Sequence, residues 1–403
     1  MCSVDSILAP GQIRVWIRYL SKAAIITVCG FSLLFAAYLA ADALPVQDLA
    51  QYWSAAHLVR QNPYSSELVA QFESSQGVQV VQPLVLKNPP WVIPSFLPLG
   101  LLSYRAAFAS WTLLSLIILI GCTHAIWREL QPLTVATPLY LTLLFGPAIV
   151  QLMLGQWTIL VLFGIVAFFI SVECQRDWLA GASLVFVLGK PHVSLLFLLS
   201  VAMWSLVYRR WRIIASSALT LGGASLFIAF VNPHIWAQFS ARTTQVLHEM
   251  EAYPNLGGIL YVSSGVHSLG MLPQLAGLVW LGFYFKKHWR KWNWWEHGSF
   301  VVLCSVVCSY YSYPYDEILC LPALIFAFSR GNRRAFLFAF VITDLGSFSY
   351  IFGLAGHFGY GYMFLWWTAL GWLAAFLLAQ TRFLKVSPDE NYPSPKRISS
   401  GSH

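Results

Sequence analysis

The chain has 403 residues, of which 58% are hydrophobic and only 10% charged, and its mean hydropathy is positive. Soluble domains carry about 25% charged residues, so a soluble core is excluded and an integral membrane protein is expected. The net charge of +8 does not argue for nucleic acid, because most of the 24 Lys and Arg sit in short groups beside apolar runs, as cytoplasmic loops do.

Those groups are Arg14/Arg18/Lys22, Arg105, Arg209/Arg210/Arg212, Lys286/Lys287/Arg290/Lys291, Arg330/Arg333/Arg334 and Arg382/Lys385/Lys396/Arg397. The acids gather elsewhere: Asp42, Asp48, Glu67 and Glu73 in one loop, Glu249 and Glu251 in a second, Asp316 and Glu317 in a third. This asymmetry predicts cytoplasmic termini and extracytoplasmic acidic loops. Between Arg128 and Arg176 the parity is ambiguous, since each has an acidic neighbour. Apolar runs cover Ala23–Ala41, Ala106–Trp127, Thr158–Val172, Ile213–Val231, Phe300–Ser309, Phe336–Ile351 and Met363–Ala379. Several approach the roughly 20 residues that cross a hydrocarbon core, and the whole pattern suggests about ten to twelve membrane helices in an all-α fold.

In chain order, a first helix is expected over Lys22–Ala41, retained as an anchor because no small-residue cleavage motif follows it. A long polar loop then runs over 42–89. Within it, Asp48–Gln61 places Leu49, Tyr52, Trp53, Ala56 and Val59 at helical spacing, which predicts an amphipathic helix at the membrane surface, ended by Asn62-Pro63. Pro90, Pro94 and Pro98 punctuate Trp91–Ser103, Pro138 and Pro147 precede Gly155-Gln156, and Gly189-Lys190-Pro191 splits the apolar stretch Trp178–Val207. Broken helices are tolerated at membrane depth where the freed backbone lines a cavity. A second large loop spans 232–272. The tail 382–403 is rich in Pro, Ser and charge and is expected to be a disordered cytoplasmic segment. Residues 1–381 read as a single membrane domain. No convincing internal repeat suggests inverted transporter halves.

Asp48 opens the loop helix. An Asp there suits an N-cap, by accepting from an early amide, and equally suits a general base near the membrane that takes a proton from a sugar hydroxyl. One carboxylate suffices for transfer from a sugar phosphate, whose leaving group needs no protonation; glycoside hydrolysis needs a second. Lys190 coincides with a helix break between apolar runs, where an ionisable residue usually faces a cavity; a lysine snorkelling to the interface is the alternative. His192 adds a polar group beside it. Gly155-Gln156 suits a tight turn as well as a site, and Lys87-Asn88-Pro89-Pro90, which closes the first loop, either places a donor or a cation near Asp48 or is an ordinary polar loop end. Tyr310, Tyr311 and Tyr313 fit an interfacial aromatic belt. Asp316 follows them at a helix start, as a cap or a site residue. Asp344 is an intramembrane carboxylate without a specific role. The seven cysteines follow no paired spacing, so neither a disulfide nor a metal site is expected. Scattered histidines, among them His124, His192, His234 and His248, make no zinc motif. There is no Walker loop, nucleotide fingerprint or nucleophile elbow, which disfavours cytosolic ATP or a nucleotide sugar as substrate.

Ordered motifs over roughly Gln47 to Phe376 carry a family resemblance. They are Asp48 with Tyr52 and Asn62-Pro63-Tyr64; Pro89-Pro90, Pro98-Leu99, Tyr104-Arg105-Ala106 and Trp111; Gly155-Gln156; Leu179-Ala180-Gly181 leading to Lys190-Pro191; Arg209-Arg210-Trp211-Arg212; Pro233-His234-Ile235-Trp236; and Tyr315-Asp316 with Leu321-Pro322-Ala323. In these the chain resembles the polyprenyl-phosphate-mannose-dependent mannosyltransferases, the family 87 glycosyltransferases of the GT-C membrane fold. The resemblance implies a multi-pass protein of a bacterial inner membrane. It implies inverting transfer of a hexose, mannose by analogy, from a polyprenyl-phosphate carrier to a lipid-linked or glycan acceptor on the extracytoplasmic face. Asp48 becomes the catalytic base. Lys190, Gln156, Lys87, Arg242 and His192 become donor or phosphate residues, and Tyr52, Tyr64, Tyr315 and Asp316 acceptor or cavity residues. No cofactor is implied beyond the donor, and the partners are the two substrates and membrane lipids. The chain departs from the pattern in holding Tyr315 where members have a late-loop histidine, and Trp157-Thr158 where Tyr or Asn follows Gly-Gln. A transporter or flippase of lipid-linked sugars, using the same cavity without chemistry, is the competing reading, and a membrane structural or assembly protein is a third.

Overall fold

In lipid the backbone must satisfy its own N–H and C=O groups, and for an open chain the helix is the arrangement that does so. The computed structural model describes residues 35, 37–39, 48–78, 83–130, 141–248, 253–352 and 359–380, and among these every regular element is helical, with no strand. Among the described residues, four helices are long and apolar enough to cross a membrane: Tyr104–Leu130, Trp211–Val231, His267–Lys291 and Met363–Gln380. Shorter apolar helices cover Thr158–Glu173, Asp177–Val187 and Leu195–Val207. The described residues form an all-helical membrane protein. The expected helix over Lys22–Ala41, the tail 382–403, and Asp42, Pro138, Glu249 and Glu251 lie wholly or largely outside the described residues.

The first loop forms α1 (Leu49–His57) and α2 (Ser66–Ser75), followed by 3-10 turns at Pro90–Phe96 and Leu99–Leu101. Two differences from expectation appear in α1. It stops at His57, before Asn62-Pro63, and eight of its nine residues are buried. It therefore does not lie on a surface: α2, the two 3-10 turns and the first long helix pack around it. The proline-punctuated stretch stays 3-10 because Pro94 can give no amide to an α ladder.

After α3 (Tyr104–Leu130) come α4 (Gly146–Leu154), α5 (Thr158–Glu173), α6 (Asp177–Val187), α7 (Leu195–Val207) and α8 (Trp211–Val231). Apolar all round and mostly buried, α5 is the central rod. It packs on α6, which packs in turn on α8. The opposite side of α8 shows Leu219, Leu226, Phe227 and Phe230 exposed, the surface a helix offers to lipid. The second loop is largely helical too, with α9 (Ile235–His248), α10 (Leu256–Ser264) and a 3-10 turn at His267–Met271. The chain then runs through α11 (Leu272–His288) and α12 (Ser299–Val307), and continues through a 3-10 turn at Pro314–Cys320 into α13 (Leu321–Arg330), α14 (Arg333–Phe352) and α15 (Thr368–Gln380).

Contacts at the helix ends sort the turns into two sets. At one end, Arg210 reaches Asp177 at 3.1 Å and Gln175 at 2.7 Å, Tyr208 donates to the Trp289 carbonyl at 2.6 Å, and Trp295 donates to Glu173 at 2.6 Å. This is the basic end, with Arg209–Arg212 and Lys286–Lys291. The Glu129 charge interacts with Glu173, so Arg128 and Arg176 belong to this same end. At the other end meet the first loop, the turn before α5, the break between α6 and α7, and the segment Ser309–Tyr315.

Candidate functional site

Asp48 occupies the N-cap position of α1, with φ −61° and ψ −18°, but its side chain makes no capping bond. Its Oδ2 instead accepts from Gln156 Nε2 at 2.6 Å. The turn carrying Gln156 is set by Gly155, which ends α4 in the left-handed region at φ +68°, where glycine is unstrained. A Cβ on Gly155 would also lie 2.9 Å from that of Leu49, so the same glycine lets α1 approach the turn.

One helical turn beyond Asp48, Tyr52 projects the same way. Its hydroxyl donates to Gln156 Oε1 at 2.9 Å and lies 3.2 Å from Asn88 Oδ1, while its ring stacks on Phe96 at 4.4 Å. Asn88 Nδ2 donates to the Gly189 carbonyl at 2.9 Å, and the Asn88 carbonyl accepts from Tyr64 at 3.0 Å. Asn88 thus ties the end of the first loop to the helix break at Gly189-Lys190-Pro191. Trp157 closes over Gly189 so tightly that a Cβ there would collide with the indole.

Past the break, Lys190 Nζ lies 2.9 Å from Asp316 Oδ1 and 2.9 Å from Thr158 Oγ1, with the Tyr315 ring centroid 4.7 Å away. Thr158 donates to the same Asp316 oxygen at 2.7 Å, and Asp316 Oδ2 accepts from the Tyr313 amide at 3.1 Å. Asp316 is fully buried and Lys190 is 4% exposed. Lys190 therefore does not snorkel; it is one half of a buried ion pair. Asp316 both caps its helical turn and balances that ammonium.

The electrostatics set Asp48 apart. It is half-buried, and burial raises its carboxyl pKa above the ordinary value. The Gln156 hydrogen bond and the charges of Lys190 and Lys87 oppose the rise, and the Asp316 charge adds to it. Lys87 is exposed. Burial also lowers the His192 pKa to about 4, so its imidazole is neutral at pH 7. The His192 Nε2 is buried with no hydrogen-bond partner among the described residues. A half-buried carboxylate of raised basicity, the charges of Lys190 and Lys87 acting on it, and a neutral imidazole beside Lys190 can take a proton and stabilise a departing anion. Among the described residues no three His, Cys, Asp or Glu gather as a metal site.

The sequence profile of glycosyltransferase family 87 matches residues 87–309, more than half of the chain. The chain belongs to glycosyltransferase family 87. No curated protein and no solved structure matches it. Two carboxylates of this family 87 chain, Asp48 and Asp316, flank the matched segment. Their hydrogen bonds to Gln156, Thr158 and Lys190 join them to it.

Of the residues singled out in the sequence, the fold brings Asp48, Tyr52, Gln156, Lys190, Tyr315 and Asp316 into one network, with Lys87 and His192 beside it. Tyr64 joins through Asn88. Arg242 lies on α9, one turn beyond Phe239, whose ring packs 5.5 Å from Tyr64. Tyr311 meets Tyr313 edge to face at 5.6 Å, and Tyr313 stacks on Tyr315 at 5.3 Å, so a row of rings leads up to Lys190. Asn88 falls in the loop end expected near Asp48 and there bonds Tyr52 and the Gly189 carbonyl. Thr158 was not legible: it is a helix start, and only tertiary proximity marks it. Asp344 has a structural partner, since its Oδ1 accepts from the Gly146 amide at 2.7 Å and caps α4 from across the bundle. The cysteines described, Cys122, Cys174, Cys304, Cys308 and Cys320, are free.

Proposed function

We propose that this family 87 glycosyltransferase moves a hexose, mannose in the first instance, from a polyprenyl-phosphate carrier to a lipid-linked or glycan acceptor, with Asp48 as its single base. The reading places the reaction on the extracytoplasmic face of a bacterial inner membrane, in a GT-C-type domain over 1–381 with about ten to twelve membrane helices. The loops 42–89 and 232–272 lie on that face and both termini in the cytoplasm. No resident cofactor is assigned.

The observation that carries the proposal is that Asp48 sits at a helix start yet leaves the amides of its own helix to reach Gln156. The cap alone does not explain it. In the reaction, Asp48 takes the proton of the acceptor hydroxyl as that oxygen bonds to the anomeric carbon. The bond from that carbon to the phosphate oxygen breaks on the far side, and its electron pair leaves with the polyprenyl phosphate, so configuration inverts. Lys87, exposed near Asp48, meets the phosphate directly. Lys190, held by Asp316, adds a fixed charge that acts on Asp48.

Asp48→Asn keeps an acceptor for Gln156 and removes the base. It is expected to lower kcat by about 10²–10⁴-fold, the usual contribution of a positioned base, with an unchanged melting profile. Transfer from radiolabelled polyprenyl-phosphate hexose to a lipid extract measures it. Wild-type rates in well-folded Asp48→Asn would remove the assignment, and movement of the lipid without any labelled product would favour a flippase.

A further inference from the structure

The Tyr52 hydroxyl carries one proton, and two acceptors compete for it: Gln156 Oε1 at 2.9 Å and Asn88 Oδ1 at 3.2 Å. Neither side can relieve the competition. Asn88 Nδ2 donates to the Gly189 carbonyl at 2.9 Å, and a carbonyl only accepts, so Asn88 must show Tyr52 its oxygen. While Asp48 is ionised, Gln156 turns Nε2 toward it at 2.6 Å and therefore shows Tyr52 its oxygen as well. The Trp157 backbone amide also hydrogen-bonds the Tyr52 hydroxyl, which leaves the phenolic oxygen one further lone pair. Tyr52, Asn88 and Gln156 are all buried, where bulk water does not replace an unmade hydrogen bond.

Two hydrogen-bond arrangements therefore fit the same side chains. With Asp48 ionised, Tyr52 donates to Gln156 Oε1 and Gln156 Nε2 donates to Asp48 Oδ2; Asn88 then has only the longer contact. With Asp48 protonated, the order reverses. Asp48 donates to Gln156 Oε1, the Gln156 amide turns by half a rotation and gives Nε2 to the spare lone pair of Tyr52, and Tyr52 passes its own proton to Asn88 Oδ1. The Gln156 backbone carbonyl keeps its bond from Gln151 in both. Turning the amide breaks two bonds that nothing replaces while Asp48 is charged, and exchanges them for two others once it is neutral.

We propose that Tyr52 and Asn88 are positioning residues that complete a reversible hydrogen-bond chain, with Asn88 as the second acceptor that lets Gln156 serve Asp48 in both its ionised and its protonated form. This rests on the reading of Asp48 as the base and deepens it. A base must be held before it takes the proton and again while it carries it, and the chain does both without moving a helix. Other groups act on Asp48: the charges of Lys190 and Lys87 favour its ionised form and that of Asp316 the protonated one, and the Tyr52, Tyr311 and Tyr315 phenols feel its charge in turn. The chain leaves that balance in place and adds one set of bonds to each side of it.

The test uses the full chain in detergent. Infrared titration follows the carboxylic-acid band of Asp48, assigned by its loss in Asp48→Asn, and transfer from radiolabelled polyprenyl-phosphate hexose is measured in parallel across pH. Asn88→Leu and Asn88→Ser both remove the second acceptor, so the protonated form alone loses a bond. The Asp48 pKa and the acid limb of kcat/KM should then fall by about 0.5–1 pH unit, one hydrogen bond in size. A residue that only held the helix break would act the other way: its loss would loosen Lys190, weaken that charge at Asp48 and raise the limb. In Tyr52→Phe the added Asn88→Leu should shift nothing further, because Asn88 acts through that hydroxyl. An unmoved or raised pKa in the Asn88 variants overturns the proposal, as does a shift that persists beside Tyr52→Phe. The infrared titration needs no turnover, so the expected shifts in a protein that transfers no sugar would keep the chain and reject the transferase reading.

Discussion

Gln156 is held from three directions. Its carbonyl accepts from Gln151 Nε2, its Oε1 from Tyr52, and its own Nε2 donates to Asp48. The amide cannot turn without breaking two bonds, so the donor aimed at Asp48 is fixed in advance. That bond favours the ionised carboxylate and works against the burial that raises the Asp48 pKa. Gln156→Leu should move the acid limb of kcat/KM to higher pH, because the base then ionises later, and should lower the plateau about 10-fold through lost positioning. A pH–rate profile of the purified variant checks both, and an unmoved acid limb would mean that Asp48 does not govern it. A second carboxylate is visible by the same logic. Glu73 is fully buried under α1, accepts from Ser54 at 2.9 Å, and leaves its other oxygen without a partner among the described residues. Burial raises its pKa to about 7. A raised carboxyl pKa stabilises the fold at low pH, and that stability is lost as pH rises through the folded value. Glu73→Gln should therefore melt like the wild type near pH 5 and several degrees higher at pH 8, read by thermal unfolding in detergent. Asp48 stood out in the sequence as a carboxylate opening a helix, but its partner lies 108 positions away on a turn, and no spacing rule links the two. Glu73 carried no signal at all, because an acid in a polar loop looks solvated until the loop is folded back.

At the scale of elements, the helix break is the feature that sequence and structure share most closely. Gly189-Lys190-Pro191 interrupts an apolar stretch, and the fold ends α6 at Val187 and restarts at Leu195. The break was legible because proline and glycine act locally. The depth of α1 was not: Leu49, Tyr52 and Trp53 announce one buried face, but burial of the opposite face depends on α2 and the 3-10 turns that arrive later in the chain. The break also exposes the cost of its charge. Removing one member of a buried ion pair strands the other and costs about 3–5 kcal/mol, whereas replacing both with apolar residues is often neutral. Lys190→Met and Asp316→Leu should each lower the melting temperature markedly, and the double variant should recover most of it. If Lys190 also shapes the field around the departing phosphate, the recovered double variant stays inactive. A double variant as active as the wild type would reduce the pair to scaffolding.

For the whole molecule, the two-ended bundle decides which turns share a side. Charge counting left the turn at Arg176 unplaced because an acid stands beside the arginine. The fold settles its company: Arg210 reaches both Gln175 and Asp177, and Trp295 reaches Glu173. Four turns that are distant in sequence therefore share one face. The basic residues on that face, Arg209–Arg212 and Lys286–Lys291, oppose the end that holds Asp48. In the reading proposed above, the positive-inside rule makes the basic face cytoplasmic and turns the sugar chemistry outward. Cys174 lies exposed in this basic set, while Lys87 is exposed at the other end. A membrane-impermeant maleimide applied to intact cells should label Lys87→Cys but not Cys174, with Cys174→Ser identifying the signal of that site. Permeabilised cells should label both. Labelling of Cys174 from outside would invert the orientation and place Asp48 in the cytoplasm, where a donor carried on the outer leaflet cannot reach it.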